Sequence, residues 1–171
     1  AAYEFDGGDL ITVEDSPDLR GTTAFTVSAW IEVQGTWTYD ARCVFARESG
    51  LPNGFAMYVD QNDEVFGQGN YAIKFVVGGG GTTTTEPMKV LTPEDLPGWK
   101  HIAGVFDGAT AKLYLDGVEV ASEPFAGTFA QTIGPMLIGS ANHRPDKKFT
   151  GKIDELKYFE RALSAAEVQG L

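Results

Sequence analysis

The sequence predicts an all-β fold in which antiparallel strands form two packed sheets, a sandwich or jelly roll, with one or two very short helices. Three observations support this prediction. Short runs of alternating apolar and polar residues recur along the whole chain. Turn residues separate these runs, and helix signals are confined to two short segments. Many short strands with so little helix indicate packed antiparallel sheets rather than a parallel α/β fold.

About a dozen strands are predicted. In chain order they are YEF, LITV, FTVSAWIEV, CVFAR, FAMYV, EVFG, YAIKFVV, KHIAGVF, AKLYLD, VEVA, MLIGS and KIDELKYF. The pairs Asp107-Gly108 and Asp116-Gly117 predict hairpins, because glycine accepts a positive φ. The segments ESGLPNG and VGGGGTTTT predict longer loops.

Two segments carry helix signals. TPEDL, beginning at Thr92, has proline where a first helical turn tolerates it. SAAEVQGL begins at Ser164 and places Glu167 at the spacing of a capping box. Neither segment is longer than two turns. No linker divides the chain, so residues 1–171 are predicted to form a single domain, and the abrupt start in AAYEFDGG suggests a mature protein or a domain excised from a larger secreted protein.

Charge and composition exclude two classes of partner. Asp and Glu number 24 against 13 Lys and Arg, which gives a formal net charge of -11. Such a surface repels nucleic acid phosphates and anionic membranes. The sequence has no run of 18 apolar residues, so membrane insertion is not expected. Cys43 has no second cysteine to pair with and is expected to be buried.

Five blocks in fixed order resemble a known family. They are FDGGDLITV, FTVSAWIEV, GWKHIAGVFDGATAKLYLDGVEV, LIGS and FTGKIDELKYFERALSAAEV. Together they resemble the laminin G-like domains of the concanavalin A-like lectin/glucanase superfamily. The resemblance implies a jelly-roll sandwich, usually extracellular, that often holds one Ca²⁺ and serves as a sugar- or protein-binding module of an enzyme, adhesin or receptor.

The carboxylate of Asp154 raises a question of its own. In a regular strand Asp154 points to the same side as Leu156 and Tyr158, and an ionised carboxylate facing a core needs a partner. The resemblance places the first and last strands side by side, which brings Asp6 and Asp9 into consideration. Oxygen ligands from Asp6, Asp9 and Asp154 suit a structural Ca²⁺. The alternative is that Asp6 and Asp9 end turns while Asp154 accepts backbone hydrogen bonds.

The sequence gives no support for catalysis. The E-x-D-x-x-E spacing that would place two carboxylates on one strand face is absent, and the adjacent acids of IDE point to opposite faces. His101 is expected to be packed rather than catalytic, and no G-x-S-x-G motif is present. Trp30 has the opposite parity to the apolar residues of its strand and is expected to serve packing, with a place on a concave binding face as the alternative. Trp99 is also expected to serve packing. We therefore expect a protein that is not an enzyme.

Candidate ligand-binding residues lie in three predicted loops, because sugar sites combine aromatic faces with amides, carboxylates or guanidinium groups. An alternative role for such aromatic side chains is to cover the edge of the sandwich. The candidates are Trp37, Tyr39, Asp40 and Arg42 in the first loop, Asn70 and Tyr71 in the second, and Asn142, His143 and Arg144 in the third.

The sequence as a whole predicts a noncatalytic carbohydrate-binding module of an extracellular protein. Its partner would be an oligosaccharide or polysaccharide, bound by stacking at a loop rim, with calcium supporting the fold. Two alternatives stay open at this point. The same loops could bind polypeptide in an adhesion module, or an atypical carboxylate pair could act on glycosides.

Overall fold

The computed structural model describes residues 2–20, 23–35, 40–48, 53–79 and 83–171. The strands in these ranges are β1 (Tyr3–Asp6), β2 (Ile11–Val13), β3 (Phe25–Val33), β4 (Asp40–Glu48), β5 (Gly54–Gln61), β6 (Tyr71–Gly79), β7 (Thr83–Thr85), β8 (Met88–Leu91), β9 (Lys100–Phe106), β10 (Thr110–Leu115), β11 (Val118–Pro124), β12 (Met136–Ile138) and β13 (Thr150–Phe159). The helices are α1 (Asp63–Phe66) and α2 (Ala165–Gln169). Neither described helix has the length and hydropathy needed to cross a membrane.

The strands form two antiparallel sheets, which confirms the predicted sandwich. Sheet A has six strands in the order β1-β13-β3-β9-β10-β11. Sheet B has seven strands, in the order β2-β12-β4-β5-β6-β7 with β8 also paired to β6. The first and last strands are neighbours, as the resemblance implied, with Tyr3 opposite Ile153. Both Asp-Gly hairpins are present: one joins β9 to β10 and the other joins β10 to β11.

The core between the sheets is rich in phenylalanine. Phe25 of sheet A is fully buried, and its ring centroid lies 4.7 Å from that of Phe55 in sheet B. Phe75 and Phe106 are also fully buried and pack around Phe25. Each such side chain contributes on the order of 1.5–3 kcal/mol to stability by leaving water. The fold is therefore stabilised where apolar side chains at the inward positions of both sheets pack against each other.

Two local predictions are wrong. The segment EVFG was predicted as a strand, but it lies in α1, because the Asn62 side chain accepts hydrogen bonds from the backbone N–H groups of Glu64 and Val65 and so caps a helical turn. The segment TPEDL forms a turn instead of a helix. There Asp95 Oδ2 accepts from both the N–H and the hydroxyl of Thr92, at 2.9 and 2.8 Å.

The predicted loop VGGGGTTTT is strand-like at both of its described ends, because β6 continues to Gly79 and β7 begins at Thr83. The second helix prediction is confirmed. Ser164 caps α2 by accepting from Glu167 N–H, and the Glu167 carboxylate accepts in return from Ser164 N–H, which completes the capping box.

A β-bulge in β13 changes the direction of Asp154. The pairing register with β3 shifts between Asp154 and Lys157, and Glu155 adopts a positive φ of 48°. Ile153 is in the core, and Leu156 packs against the same core. Asp154 lies instead opposite Trp30, on the outer face of sheet A. The prediction that its carboxylate points toward the core is therefore wrong.

Candidate functional site

The outer face of sheet B carries a small-residue surface beneath a long loop. Alternate residues of β4, β5 and β6 face away from the core, and a separate buried cluster joins Cys43, Ala46, Ala56, Tyr58, Val76 and Ala141. The loop at 139–149 lies along β4, because Cys43 N–H donates to Lys147 O at 3.1 Å and Gly139 N–H donates to Val44 O at 2.8 Å. Small side chains on the strand let this loop approach closely. Cys43 is buried, as predicted.

Glu48 is the centre of a buried polar network on this face. Glu48 is 2% exposed, and its Oε1 accepts a hydrogen bond from Tyr58 OH at 3.3 Å. His143 of the loop pairs with the same oxygen through Nδ1. Glu48 Oε2 is buried and has no hydrogen-bond partner among the described residues. The network ties the loop to the sheet through a carboxylate that water does not reach.

Burial sets the protonation tendencies in this network. Desolvation raises the pKa of Glu48, although His143, Tyr58 and Arg144 partly oppose the shift. Desolvation also raises the pKa of Tyr58, and the nearby Cys43 and Glu48 add to the effect. Tyr58 therefore stays a phenol, which can donate to the carboxylate.

Beside this network lies a shallow depression of about 120 Å³. Its apolar floor is formed by Ala41, Val76 and the ring of Tyr58, and its charged groups are Asp60, Lys74, Glu86 and Arg144. Lys74 Nζ donates to Asp60 Oδ2 at 2.5 Å and lies 5.1 Å from the centroid of the Phe66 ring. We call this surface the sheet B depression. It presents two carboxylates and two cations around an apolar floor.

Three of the predicted ligand residues lie in the loop beside the depression. Arg144 lines the depression itself, and His143 holds the loop through Glu48. Asn142 has a supporting role, because its Nδ2 donates to Pro135 O at 3.2 Å. Trp37 and Tyr39 lie outside the described residues.

Asp40 and Arg42 occupy the start of β4 but not the depression. They flank Ala41 in the strand and therefore point to the opposite side. Arg42 Nη1 lies 3.3 Å from Asp40 Oδ2, and Lys147 pairs with Asp40 Oδ1. Hydrogen bonding to Asp40 raises the pKa of Lys147. These residues form an ion-pair group at the end of the sandwich.

Asn70 and Tyr71 are not brought to the depression either. Asn70 Nδ2 donates to Phe66 O at 2.7 Å and so closes the turn after α1. Tyr71 packs against the main core. It alternates with Lys74 along β6, so that only Lys74 reaches the outer face.

The three aspartates predicted to bind calcium do not converge. Asp6 lies opposite Thr150, and Asp154 lies four residues farther along β13, which corresponds to roughly 13 Å of strand. Asp9 Oδ2 accepts from Asp6 N–H at 3.1 Å, and Asp6 Oδ1 accepts from Gly8 N–H at 2.7 Å. In the described ranges no three His, Cys, Asp or Glu side chains form a group that could hold a metal ion. The residues do not fit the predicted site.

Asp154 accepts a hydrogen bond from the N–H of Glu155 at 2.8 Å. Asp6 and Asp9 hold the turn after β1 in a similar way. All three carboxylates therefore follow the alternative interpretation of the sequence, in which they end turns and accept backbone hydrogen bonds.

An apolar cleft of about 480 Å³ lies between the two sheets at the edges formed by β1 and β2. Core side chains such as Phe5, Ile138 and Leu156 line it, with Asp154 and Glu155 at its margin. None of the predicted ligand-binding residues that the structure describes lines this cleft. Its chemistry is that of an opening in the core, whereas the sheet B depression carries charged groups.

Several residues of the depression were missed by sequence reasoning. Tyr58 and Lys74 lie within the predicted strands FAMYV and YAIKFVV, where apolar neighbours drew the interpretation toward the core. Asp60 directly follows FAMYV, and Glu48 of the adjoining network begins the predicted loop ESGLPNG. The available signal was parity, because Asp60 and Lys74 are charged at outward positions of otherwise apolar strands. Trp99 was also misjudged: it was expected to pack, but it is 39% exposed.

The two antiparallel sheets define the chain as an all-β sandwich protein. Residues 5–169 match the Laminin_G_3 family, described as the concanavalin A-like lectin/glucanases superfamily. The chain belongs to this family. The predicted resemblance is thereby confirmed over nearly the whole sequence.

Similar proteins include one curated relative and many solved structures. Mouse pappalysin-1 is 29% identical over 165 residues, which cover 85% of this chain and 9% of pappalysin-1. The chain therefore spans less than a tenth of that protein.

The solved structures show the shared fold. A pentraxin of Limulus polyphemus has a TM-score of 0.70 at 16% identity, covering 97% of this chain and 78% of its own. Domain 4 of the Geobacillus stearothermophilus arabinanase AbnA, in complex with arabinotriose, gives 0.66 at 24%, covering 99% and 75%. The Ruminococcus gnavus sialidase module CBM40, bound to α2,3-sialyllactose, gives 0.71 at 13%, covering 99% and 95%.

Proposed function

We propose that this chain is a noncatalytic carbohydrate-binding module of an extracellular protein, and that glycan binds in the sheet B depression. The observation that carries the proposal is the depression itself, with hydrogen-bond donors and acceptors placed around an apolar floor. Two relatives of the same fold are described in complex with sugars, arabinotriose and sialyllactose. Both observations favour a glycan as the partner.

The chemistry of the depression suits sugar hydroxyls. A hydroxyl group both donates and accepts, so it needs partners of both kinds. Asp60 and Glu86 supply acceptors, whereas Lys74 and Arg144 supply donors. The floor offers apolar contact to the C–H face of a ring. Positive and negative groups balance here, and the chain carries a net charge of -11, so the preferred ligand is a neutral glycan rather than a polyanionic one.

The Glu48 network has a positioning role in this proposal. His143 pairs with Glu48, and Arg144 is the next residue along the loop. The buried pair therefore fixes the part of the loop that presents the guanidinium group to the depression. Preorganised polar groups lose less conformational entropy when a ligand binds.

The two carboxylates of the depression are assigned to binding rather than hydrolysis. Asp60 is paired with Lys74, so one oxygen of its carboxylate is already bound by a cation. The same Lys74 ammonium group can donate a hydrogen bond to a sugar hydroxyl. Incubation of the protein with each bound polysaccharide should release no new reducing ends. Release of reducing ends that is lost in Asp60→Asn or Glu86→Gln would contradict this assignment and favour a glycoside-acting enzyme.

Affinity electrophoresis through gels that contain neutral polysaccharides tests the proposal. Wild type should be retarded by at least one polysaccharide, and Arg144→Ala should be retarded less. Arg161→Ala is the matched control, because it removes the same charge at a position that pairs with Glu167 on α2, away from the depression. Equal retardation of all three proteins would contradict the assigned site. Absence of retardation on every polysaccharide would favour the protein-binding alternative.

A further inference from the structure

A second notch lies on the outer face of sheet A, on the opposite side of the sandwich from the sheet B depression. It has a volume of about 170 Å³ and is lined by Trp30, His101, Asp116, Gly117, Val168, Gln169 and Leu171. Trp30 of β3 lies directly opposite His101 of β9, with ring centroids 5.3 Å apart. The end of α2 and the residues after it form the other wall.

Trp30 is the outward residue of a strand whose neighbours face the core. Ala29 and Ile31 are fully buried between the sheets, whereas Trp30 keeps partial exposure. Part of the same outer face is covered by the C-terminal segment, since Ala103 and Val168 belong to one buried cluster. The indole lies at the margin of this cover. Part of the ring therefore faces the notch instead of being sealed beneath the helix.

His101 is a buried side chain that lines the notch without a hydrogen bond on its ring. The residue is only 5% exposed, and its bonds to Asp116 involve the backbone of His101 alone. Within the described ranges, its ring contact is with Trp30. The open nitrogen positions of this ring are thus available to a molecule in the notch.

The polar groups of the notch are neutral or acidic. Burial, reinforced by the positive charge of Lys157, lowers the pKa of His101, so the imidazole is neutral near pH 7 and offers one donor and one acceptor. Gln169 is exposed and adds an amide, and Asp116 adds a carboxylate. Among the described lining residues there is no Lys or Arg. Lys157 lies beside the notch, where it donates to Leu171 O at 3.3 Å, but its ammonium group is paired with Glu155 at 3.0 Å.

We infer that this notch is a second carbohydrate site, which binds one pyranose ring against the indole of Trp30 while His101, Asp116 and Gln169 bond its hydroxyls. An aromatic face beside a few neutral polar groups is the chemistry that recognises the C–H face and the hydroxyls of a sugar. The site does not depend on the sheet B depression. Since the two sites lie on opposite faces, a module with both can bridge two glycan chains, which raises its avidity for a polysaccharide surface.

The test is a ¹⁹F NMR titration of protein labelled with 5-fluorotryptophan. The sequence has 3 tryptophans, and the Trp30→Phe variant identifies the Trp30 resonance by its loss. The probes are methyl β-D-glucopyranoside, methyl β-D-galactopyranoside and methyl α-D-mannopyranoside. We expect the Trp30 resonance to shift saturably with at least one of them. A Trp30 resonance that none of the three shifts would overturn the inference.

Variants separate this site from the sheet B depression. His101→Phe keeps an aromatic ring but removes the polar nitrogens. It should raise the dissociation constant by about tenfold. Gln169→Ala, at an exposed position, should weaken binding without disturbing the core, and so tests the site even if His101→Phe does not fold. Arg144→Ala should leave the Trp30 titration unchanged while reducing polysaccharide retardation. If Gln169→Ala and a folded His101→Phe both bind with the affinity of wild type, the assignment is contradicted.

Discussion

At the scale of single residues, Glu48 has the least favourable surroundings for a charge in the described network. It lies at the end of β4 with one oxygen engaged by Tyr58 and His143 and the other without a partner. An ionised carboxylate in such a place is costly, so its presence needs a reason other than stability. The reason offered by the structure is that it holds His143 and thereby the loop that carries Arg144.

The stability of Glu48→Gln relative to wild type should depend on pH. Because burial raises the pKa of Glu48, the contribution of the protonated acid is fully present below the ordinary value of 4.5 and is lost as pH rises through the folded value. The glutamine variant should therefore gain on wild type as pH increases from 4 toward 8. Urea denaturation at several pH values gives the free energy of unfolding of each protein.

Glu94→Gln is the control for this comparison, since it makes the same change at an exposed residue. A difference between Glu48→Gln and wild type that stays constant across the pH range would contradict the raised pKa. A difference that grows in favour of wild type as pH rises would contradict its direction.

At the scale of secondary-structure elements, the bulge in β13 determines to which face of sheet A the side chains of Asp154, Leu156 and Tyr158 point. Without the extra residue, Leu156 and Tyr158 could not join Ile153 in the core. The residue that adopts the left-handed backbone conformation of the bulge is Glu155. Its positive φ of 48° is unfavourable for a residue with a Cβ atom. The carboxylate of Asp154 is consequently turned to the outer face beside Trp30.

Glu155→Gly should stabilise the protein by about 1 kcal/mol, because glycine accepts this backbone conformation without strain. Glu155→Ala is the matched control: it removes the same carboxylate, and its exposed pair with Lys157, but keeps the strained Cβ. Chemical denaturation should rank the glycine variant above the alanine variant. An alanine variant as stable as the glycine variant would show that the bulge carries no strain.

The elements that could be predicted are those set by local chemistry. The Asp-Gly hairpins and the Ser164 capping box depend on adjacent residues, and both are confirmed. EVFG failed because a side chain outside the apolar run, that of Asn62, caps a helical turn. TPEDL failed because Asp95 bonds back to Thr92 and closes a turn. A competing side-chain hydrogen bond decides each case, and periodicity does not report it.

At the scale of the whole molecule, the two sheets approach each other closely where a strand of sheet A has a glycine. A Cβ atom on Gly104 of β9 would lie 2.4 Å from the ring of Phe75 in the other sheet. Glycine is needed at this strand position because the facing phenylalanine occupies the space. The contact sets the spacing of the sandwich beside the phenylalanine layer of the core.

Gly104→Ala should destabilise the protein by about 1–3 kcal/mol, since the added methyl group overpacks a rigid interface. Gly170→Ala is the control, because an added Cβ there meets its nearest atom at 3.5 Å. Thermal unfolding followed by circular dichroism measures both. A Gly104→Ala melting temperature equal to that of wild type would show that the sheets separate without cost.

The candidate site could be predicted only in part, and the reason is topological. The sequence indicated Arg144 because it lies in a polar loop, but Tyr58, Lys74 and Arg144 come from β5, β6 and the loop after β12. Their convergence depends on strand order and register, which are set by long-range pairing rather than by local pattern. The three aspartates expected to share an ion do not converge for the same reason: neighbouring strands were expected correctly, but their register keeps Asp154 away from Asp6.

The central claim is that neutral glycan binds in the sheet B depression, and an NMR titration tests it most directly. Uniformly ¹⁵N-labelled protein would be titrated with a neutral oligosaccharide prepared from a polysaccharide that retards it. The account predicts saturable shifts of the backbone amide signals of Tyr58, Lys74 and Arg144, while signals of β1 stay unchanged. Saturable shifts confined to other surfaces, or no shifts at all, would contradict it.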